Sequence, residues 1–146
     1  MIAKIFDLYE DGDYELEAKV EPCCFIPTGA TFFGTAKISS KYDCNKKEIL
    51  AKLSTSLLNI NGNKSIAFQE YDKNNTFTAM SDSGTSLVGK ICKNNFICFN
   101  GYVSYLGEII VGKIIITKNN NKLTEKYYYK ANNKYTLFTT RIYIKL

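Results

Sequence analysis

The sequence of 146 residues contains no histidine, no tryptophan, two prolines and a single arginine. Without histidine, no Ser-His or Cys-His nucleophile pair can form, and axial-histidine haem and histidine-bound zinc are excluded. The chain also lacks any apolar run near the roughly 18 residues of a membrane-spanning helix, so we expect no stable membrane insertion. A binding module, an enzyme based on carboxylates or lysine, and an interaction protein remain as function classes.

The length predicts one domain over residues 1–146, large enough to bury its own core. A composition that is 45% hydrophobic and 23% charged is typical of a globular protein. Met1 is followed by no apolar signal segment, which predicts a cytoplasmic location. A secreted or periplasmic location would require that a signal peptide had been removed.

The net charge of +5 is unevenly distributed along the chain. Residues 1–21 contain seven acids and two lysines, a net of −5, whereas the remaining 125 residues contain 17 basic and seven acidic groups, a net of +10. A positive body favours anionic partners such as lipid head groups, fatty carboxylates or nucleic acid. Because the lysines are scattered and form no basic run, we expect no nucleic-acid partner. The alternative is that the lysines only solvate the surface.

The five cysteines, at positions 23, 24, 44, 92 and 98, are odd in number and form no C-x-x-C pair. At least one thiol is therefore free or pairs between chains, and zinc-ribbon and thioredoxin sites are excluded. We expect reduced thiols, no metal and no cofactor. A two-residue turn at Asn94-Asn95 would put Cys98 on the face opposite Cys92, whereas a three-residue turn would bring the two cysteines opposite each other.

Alternating charged and apolar residues predict a strand over 13–20, with Tyr14, Leu16, Ala18 and Val20 facing inward. Further strands are predicted at 31–40, 64–71, 75–81, 85–92, 96–105, 108–117, 122–131 and 134–145. The intervening turns are rich in asparagine and too short for parallel crossovers, so the sheet is an antiparallel meander. The predicted fold is all-β, an up-and-down barrel of eight to ten strands, with a β-sandwich as the alternative.

Segment 45–60 allows two interpretations. Asn45 and Glu48 resemble a capping box, and the leucines that follow have helical spacing, which predicts a short helix near 46–58. Against a helix, Ser54-Thr55-Ser56 is poor helix material and Asn61-Gly62 is a strong hairpin signal. The same apolar residues also fit a strand.

Residues 108–116 are apolar on both faces of a predicted strand. A strand of this kind needs a cover on its outer side, such as a helix, the chain's own ends or a second copy of the chain. We therefore predict a homodimer through 108–116. The alternative is a strand that is simply rich in isoleucine.

Arg141 is the only arginine beside 18 lysines. A guanidinium makes permanent, bidentate contacts to carboxylates that lysine cannot make. On a strand, Thr139 and Tyr143 share its face, so the three side chains can hold an anionic head group. The opposite face, with Phe138 and Ile142, is more apolar, and if that face points inward then Arg141 lies outside the barrel.

The segment Thr139-Thr140-Arg141-Ile142-Tyr143 resembles the terminal strand of the intracellular fatty-acid-binding proteins. In that family an Arg-x-Tyr pair binds the lipid carboxylate inside a ten-stranded barrel, which implies the same role for Arg141 and Tyr143. Gly12-Asp13-Tyr14 is similar to the Gly-x-Trp pattern of lipocalins, with tyrosine in place of tryptophan. The two resemblances imply a calycin-like barrel. In lipocalin relatives such an arginine closes the barrel floor by stacking, here on Tyr14.

These observations predict a small binding protein for an amphipathic or anionic hydrophobic ligand, such as a fatty acid. The ligand-binding residues would be Arg141, Tyr143, Thr139 and Tyr14. Two alternatives are a protein-interaction module of phage or symbiont origin with a filled barrel, and a lyase or isomerase that uses the barrel cavity. A buried glutamate or lysine in the cavity would favour the enzyme.

Overall fold

A computed structural model describes the backbone of residues 7–22, 27–70, 76–82, 84–92, 96–105 and 108–146. Side chains are described in the same ranges, except at 90–92, 96–99, 104–105 and 108. In this part of the chain, no helix is long and apolar enough to cross a membrane.

Ten antiparallel strands form a closed barrel, which confirms the predicted fold class. Each strand pairs with the next along the chain, and the last returns to the first. The strands are β1 (Gly12–Val20), β2 (Ala30–Asp43), β3 (Glu48–Leu57), β4 (Ile60–Glu70), β5 (Thr76–Ser81), β6 (Ser86–Cys92), β7 (Phe96–Tyr105), β8 (Glu108–Asn119), β9 (Lys122–Ala131) and β10 (Lys134–Lys145).

The alternation in β1 determines which residues enter the core. Tyr14, Leu16, Ala18 and Val20 are all buried, as predicted, while the acidic side chains between them face outward. Leu16 lies opposite Gly34 on one neighbouring strand and opposite Tyr143 on the other. Residues that lie directly opposite each other share a face of the sheet, so the same register places Tyr143 inside the barrel.

Residues 48–57 form a strand. Of the two interpretations of this segment, the strand is therefore confirmed and the short helix near 46–58 is wrong. Ile49, Ala51 and Leu53 are buried at the period of two that a strand requires. The segment is hydrogen-bonded to β2 on one side and to β4 on the other. Pairing on both sides outweighs the helical spacing of the leucines, and the Ser-Thr-Ser stretch suits a strand better than a helix.

The β3–β4 turn lies at Leu58 and Asn59, whose φ angles are 50° and 62°. Asn61-Gly62 lies inside β4, opposite Ser56 and Thr55, so the hairpin predicted at that dipeptide is wrong. Two positive φ angles suit the right-handed twist of a tight hairpin, and a leucine adopts one of them here. The pairing of the flanking strands therefore determines the position of this turn.

Asparagines form the β8–β9 and β9–β10 turns, as predicted. Asn132 and Asn133 join β9 to β10 with φ angles of 52° and 61°, and Asn120 has a φ of 56° in the β8–β9 turn. The turns predicted at 72–75, 94–95 and 106–107 lie wholly or partly outside the described residues.

The backbone register of β6 and β7 pairs Cys92 with Phe96 and Cys98 with Lys90. Neither turn considered for the two cysteines gives this pairing, so both predictions are wrong. Cys92 lies opposite Phe96, and Cys98 is not its direct partner. Their side chains lie outside the described part, whereas Cys44 is a free, exposed thiol.

A bulge in β10 decides which face of that strand points inward. The register with β9 shifts between Leu137 and Thr139, and both Phe138 and Thr139 are buried. A bulge adds one residue and reverses the alternation beyond it. Thr139, Arg141 and Tyr143 lie opposite the inward residues Val20, Ala18 and Leu16, so Arg141 is on the inner face.

Residues 7–11, which we call the N-terminal plug, close the end of the barrel at which β1 begins. Leu8 and Tyr9 are buried, although they precede the first strand. The Ser40 hydroxyl donates to the carbonyl oxygen of Tyr9 at 2.7 Å, and the Ser40 amide donates to Asp11 Oδ1 at 2.6 Å. The plug is thus tied to the inner rim of the barrel by backbone and side-chain hydrogen bonds.

Candidate functional site

A buried carboxylate lies at the centre of the polar interior. Glu125 is 1% exposed, and it faces inward from β9 between Leu123 and Tyr127. Three phenols donate to it: Tyr9 to Oε2 at 2.7 Å, and Tyr127 and Tyr143 to Oε1, each at 3.0 Å. These three bonds come from the plug, from β9 and from β10, so Glu125 links three separate segments of the chain.

Two cations complete this network. Lys64 reaches across the barrel from β4 and donates to the Tyr127 hydroxyl at 3.4 Å. Arg141 lies directly opposite Glu125 in the β9–β10 register and is hydrogen-bonded to Tyr143. Each cation is therefore connected to the carboxylate through one phenol, which accepts from the cation and donates to Glu125.

The electrostatics favour a charged arginine and neutral phenols. Interaction with the Tyr143 oxygen, followed by Tyr127 and Glu125, raises the pKa of Arg141 against the opposing effect of burial. Burial and then Glu125 raise the pKa of Tyr143 and of Tyr9 well above the ordinary value. Protonated phenols are the form that donates, so at neutral pH the network keeps all of its hydrogen bonds.

Beside this network lies an internal cavity of about 20 Å³. It is lined by Tyr9, Lys64, Ile66, Phe68, Ala79, Ser81, Thr85, Leu87, Ile114, Ile116, Glu125 and Tyr127. A space of this size holds about one water molecule. The cavity is thus polar at the network and at Ser81 and Thr85, and its other described lining residues are apolar. It is too small for an organic ligand while Tyr9 occupies its position.

The structure brings three of the four predicted site residues to one inner face of β10. Arg141 and Tyr143 belong to the network, and Thr139, which is 2% exposed, lies opposite Tyr127. Sequence reasoning left open whether Arg141 faces inward, and the bulge settles it.

Tyr14 belongs to the plugged end of the barrel. Its hydroxyl donates to the carbonyl oxygen of Glu10, and its ring packs edge-on against Tyr143 at a centroid distance of 6.4 Å. Burial, with the nearby acids Glu10 and Asp11, raises the pKa of Tyr14 to about 12. Arg141 does not stack on Tyr14, since the cation–π contacts of the described residues all involve lysines. Arg141 instead contacts Tyr143 and lies opposite Glu125.

Sequence reasoning did not identify Glu125, Tyr127, Lys64 or Tyr9. One signal was present: Leu123, Glu125 and Tyr127 alternate with lysines and a threonine, so an inward leucine requires an inward glutamate. The contacts of Lys64 and Tyr9 depend on residues 63 and 116 positions away, and no local pattern encodes them.

No protein-family model matches the chain, and no curated protein matches it. Among the described residues, no group of three or more cysteine, aspartate or glutamate side chains is arranged to hold a metal ion.

Proposed function

We propose that this protein is a small binding protein that holds an amphipathic or anionic hydrophobic ligand inside the barrel. The observation that supports this proposal is an imbalance of charge in the polar interior. Among the described side chains of the network, Lys64 and Arg141 carry two positive charges and Glu125 supplies one carboxylate. A second carboxylate, brought by a ligand such as a fatty acid, would balance the charge.

The ligand's head group would lie beside Arg141, Tyr143 and Thr139, which share one inner face. A guanidinium and a phenol supply the charge and the hydrogen-bond donor that a carboxylate needs. The apolar part of the ligand would lie against the wall that includes Ile66 and Leu87 once Tyr9 has left its position. We also propose that the chain is a calycin-like barrel, because a closed meander with an inward Arg-x-Tyr pair on its last strand has that form.

A fluorescent fatty-acid analogue tests the proposal. We expect the wild type to bind the analogue and Arg141→Ala to bind it at least about tenfold more weakly, which corresponds to about 1.4 kcal/mol. Lys126→Ala, which removes an exposed lysine from the outer face of β9, is the matched control and should bind as the wild type does. Equally negligible binding by the wild type and Arg141→Ala would refute the proposal.

A second candidate function is protein interaction through the outer face of β8. Ile109 and Val111 are 64% and 49% exposed, and Tyr102, opposite Val111, is 57% exposed. Contiguous exposed apolar residues of this kind mark association surfaces, and a second copy of the chain is the proposed partner. Light scattering should then show a dimer for the wild type and a monomer for Val111→Asp. A monomeric wild type at high concentration argues against it.

Glu125 also favours a lyase or isomerase as a third candidate. A carboxylate shielded from water beside an apolar wall is the setting in which a glutamate serves as general base or acid. If this candidate is correct, Glu125→Gln abolishes turnover of a carboxylate substrate while its binding persists. Turnover that survives the substitution would exclude the glutamate as the catalytic group.

A further inference from the structure

One of the buried side chains of the polar interior, Tyr9, belongs to the N-terminal plug and not to the barrel wall. Tyr9 is 1% exposed, and its ring stacks on Phe68 with centroids 5.4 Å apart and planes inclined by 30°. Its hydroxyl donates to Glu125 at 2.7 Å. The barrel thus provides an aromatic face and a buried acceptor, at the right separation, for a phenol that enters from one end.

The attachment of the plug is exposed on the side of Glu10. Glu10 is bound by Lys145 at 2.6 Å and by Lys118 at 3.0 Å, and its side chain is 49% exposed. Exposed ion pairs contribute little to stability, because water and salt screen them. The buried part of the plug consists of Leu8, Tyr9 and the hydrogen bond from Ser40 to the Tyr9 carbonyl oxygen. An occupant that satisfies Phe68 and Glu125 therefore displaces the Tyr9 ring against one buried backbone bond and a set of exposed ones.

From these contacts we propose that Tyr9 is a tethered substitute for the ligand, and that the ligand class is a phenol that also carries an anionic group. The hydroxyphenyl ring takes the place of Tyr9 against Phe68 and Glu125. The anionic group supplies a second negative charge beside Glu125, which balances the positive charges of Lys64 and Arg141. This inference rests on the proposed binding function and narrows its ligand from an amphipathic anion to a hydroxyaryl carboxylate.

Removal of the plug's side chain enlarges the space available to that ligand. The cavity of about 20 Å³ already contacts Tyr9, so the volume of the phenol becomes continuous with it when Tyr9 leaves. A site that hydrogen-bonds a hydroxyl discriminates strongly against an analogue that lacks one, because its buried polar group is then left without a partner.

The test measures by calorimetry how tightly wild type and Tyr9→Ala bind two compounds. These are 3-(4-hydroxyphenyl)propanoate and 3-phenylpropanoate, which lacks only the hydroxyl. We expect Tyr9→Ala to bind the hydroxylated compound at least about tenfold more tightly than the other compound, and more tightly than the wild type binds it. Tyr128→Ala, which removes a phenol that lies against Lys113 on the outer face of β9, is the matched control and should not gain this preference. No preference for the hydroxylated compound in Tyr9→Ala overturns the inference.

Hydrogen exchange on the wild-type protein gives a second readout that needs no variant. Saturating 3-(4-hydroxyphenyl)propanoate should speed exchange at residues 8–11, and 3-phenylpropanoate should not. Unchanged exchange at the plug overturns the inference even if the compound binds. If the fluorescent fatty-acid analogue binds but neither propanoate does, this inference fails and the proposed function stands. If none of the three probes binds, both fail.

Discussion

Glu125 connects the plug, β9 and β10 through three phenols, and a residue with so many partners is costly to remove. Truncation leaves three hydroxyls without their acceptor and two cations without a carboxylate. We expect Glu125→Ala to lower the free energy of unfolding by about 3 kcal/mol or more. Glu125→Gln, which keeps an acceptor for Tyr127 and Tyr143, should cost about 1–2 kcal/mol.

Urea denaturation measures both changes. Glu15→Gln is the matched control, because Glu15 is exposed on the outer face of β1 and should change stability by less than about 0.5 kcal/mol. A Glu125→Ala protein as stable as this control would show that the interior carboxylate does not contribute to the fold.

At the scale of the element, the plug has a titratable attachment. Hydrogen bonds from Lys145 and then Lys118 lower the pKa of Glu10 from 4.5 to about 2. A lowered pKa means that Glu10 stabilises the fold fully above about pH 4.5 and ceases to do so as the pH falls towards 2. Wild type should therefore be more stable than Glu10→Gln at pH 6, and the difference should vanish near pH 2.

Denaturation curves at several pH values, in low and high salt, measure that difference. Added salt should shrink it at pH 6, because the carboxylate is half exposed. Asp13→Asn, on the same acidic stretch, is the control. A difference between wild type and Glu10→Gln that is independent of pH would contradict the ion-pair account.

Strand packing predicts a sharp contrast between two glycines. A Cβ at Gly34 would lie 1.8 Å from the Ser56 carbonyl oxygen, whereas one at Gly62 would meet only the Thr55 hydroxyl, at 3.1 Å. A backbone atom cannot move aside cheaply, but a side-chain hydroxyl can. We expect Gly34→Ala to cost about 3 kcal/mol and Gly62→Ala less than about 1 kcal/mol.

Thermal unfolding of the two variants side by side measures this contrast. Equal losses of stability would show that the close approach of β2 and β3 at Gly34 is relaxed in solution.

The sequence predicted the positions of most strands, but it did not decide which face of β10 points inward and did not identify the network around Glu125. Alternation is a local signal, so the bounds of β9 and β10 were predicted as observed. The bulge at Phe138 has no local signature, and it allows Phe138 and Arg141 to face inward on the same strand. The network around Glu125 depends on closure of the barrel, which brings Lys64 and Tyr9 to residues far away in the chain.

At the scale of the whole molecule, the buried tyrosines predict how the fold responds to alkali. The chain has 11 tyrosines, and the pKa values of Tyr9, Tyr14 and Tyr143 are raised, that of Tyr14 to about 12. A raised pKa means that the stabilisation is complete below the ordinary value near 10 and is lost as the pH rises through the folded-state value. The protein should unfold between about pH 10 and pH 12.

Near-ultraviolet absorbance of the phenolates, recorded with circular dichroism, measures this transition. The phenolate absorbance of the buried tyrosines should rise at the same pH at which circular dichroism shows the loss of structure. In Tyr9→Phe, one fewer tyrosine should ionise in that step. Complete ionisation of all 11 tyrosines in a protein that remains folded would contradict the buried network.

The pairing of β1 with β10 has a consequence for the order of folding. Tyr14 lies opposite Lys145 and Val20 opposite Thr139, so the contacts that close the barrel join nearly the most distant parts of the chain. All other strand pairs are neighbours in sequence and can form as hairpins, whereas this one must overcome the loop-closure entropy of the eight strands between β1 and β10. During synthesis β1 therefore remains an open sheet edge until β10 has left the ribosome. Arg141 can meet Glu125 within the β9–β10 hairpin, whereas Tyr9 and Lys64 reach this network only when the barrel closes.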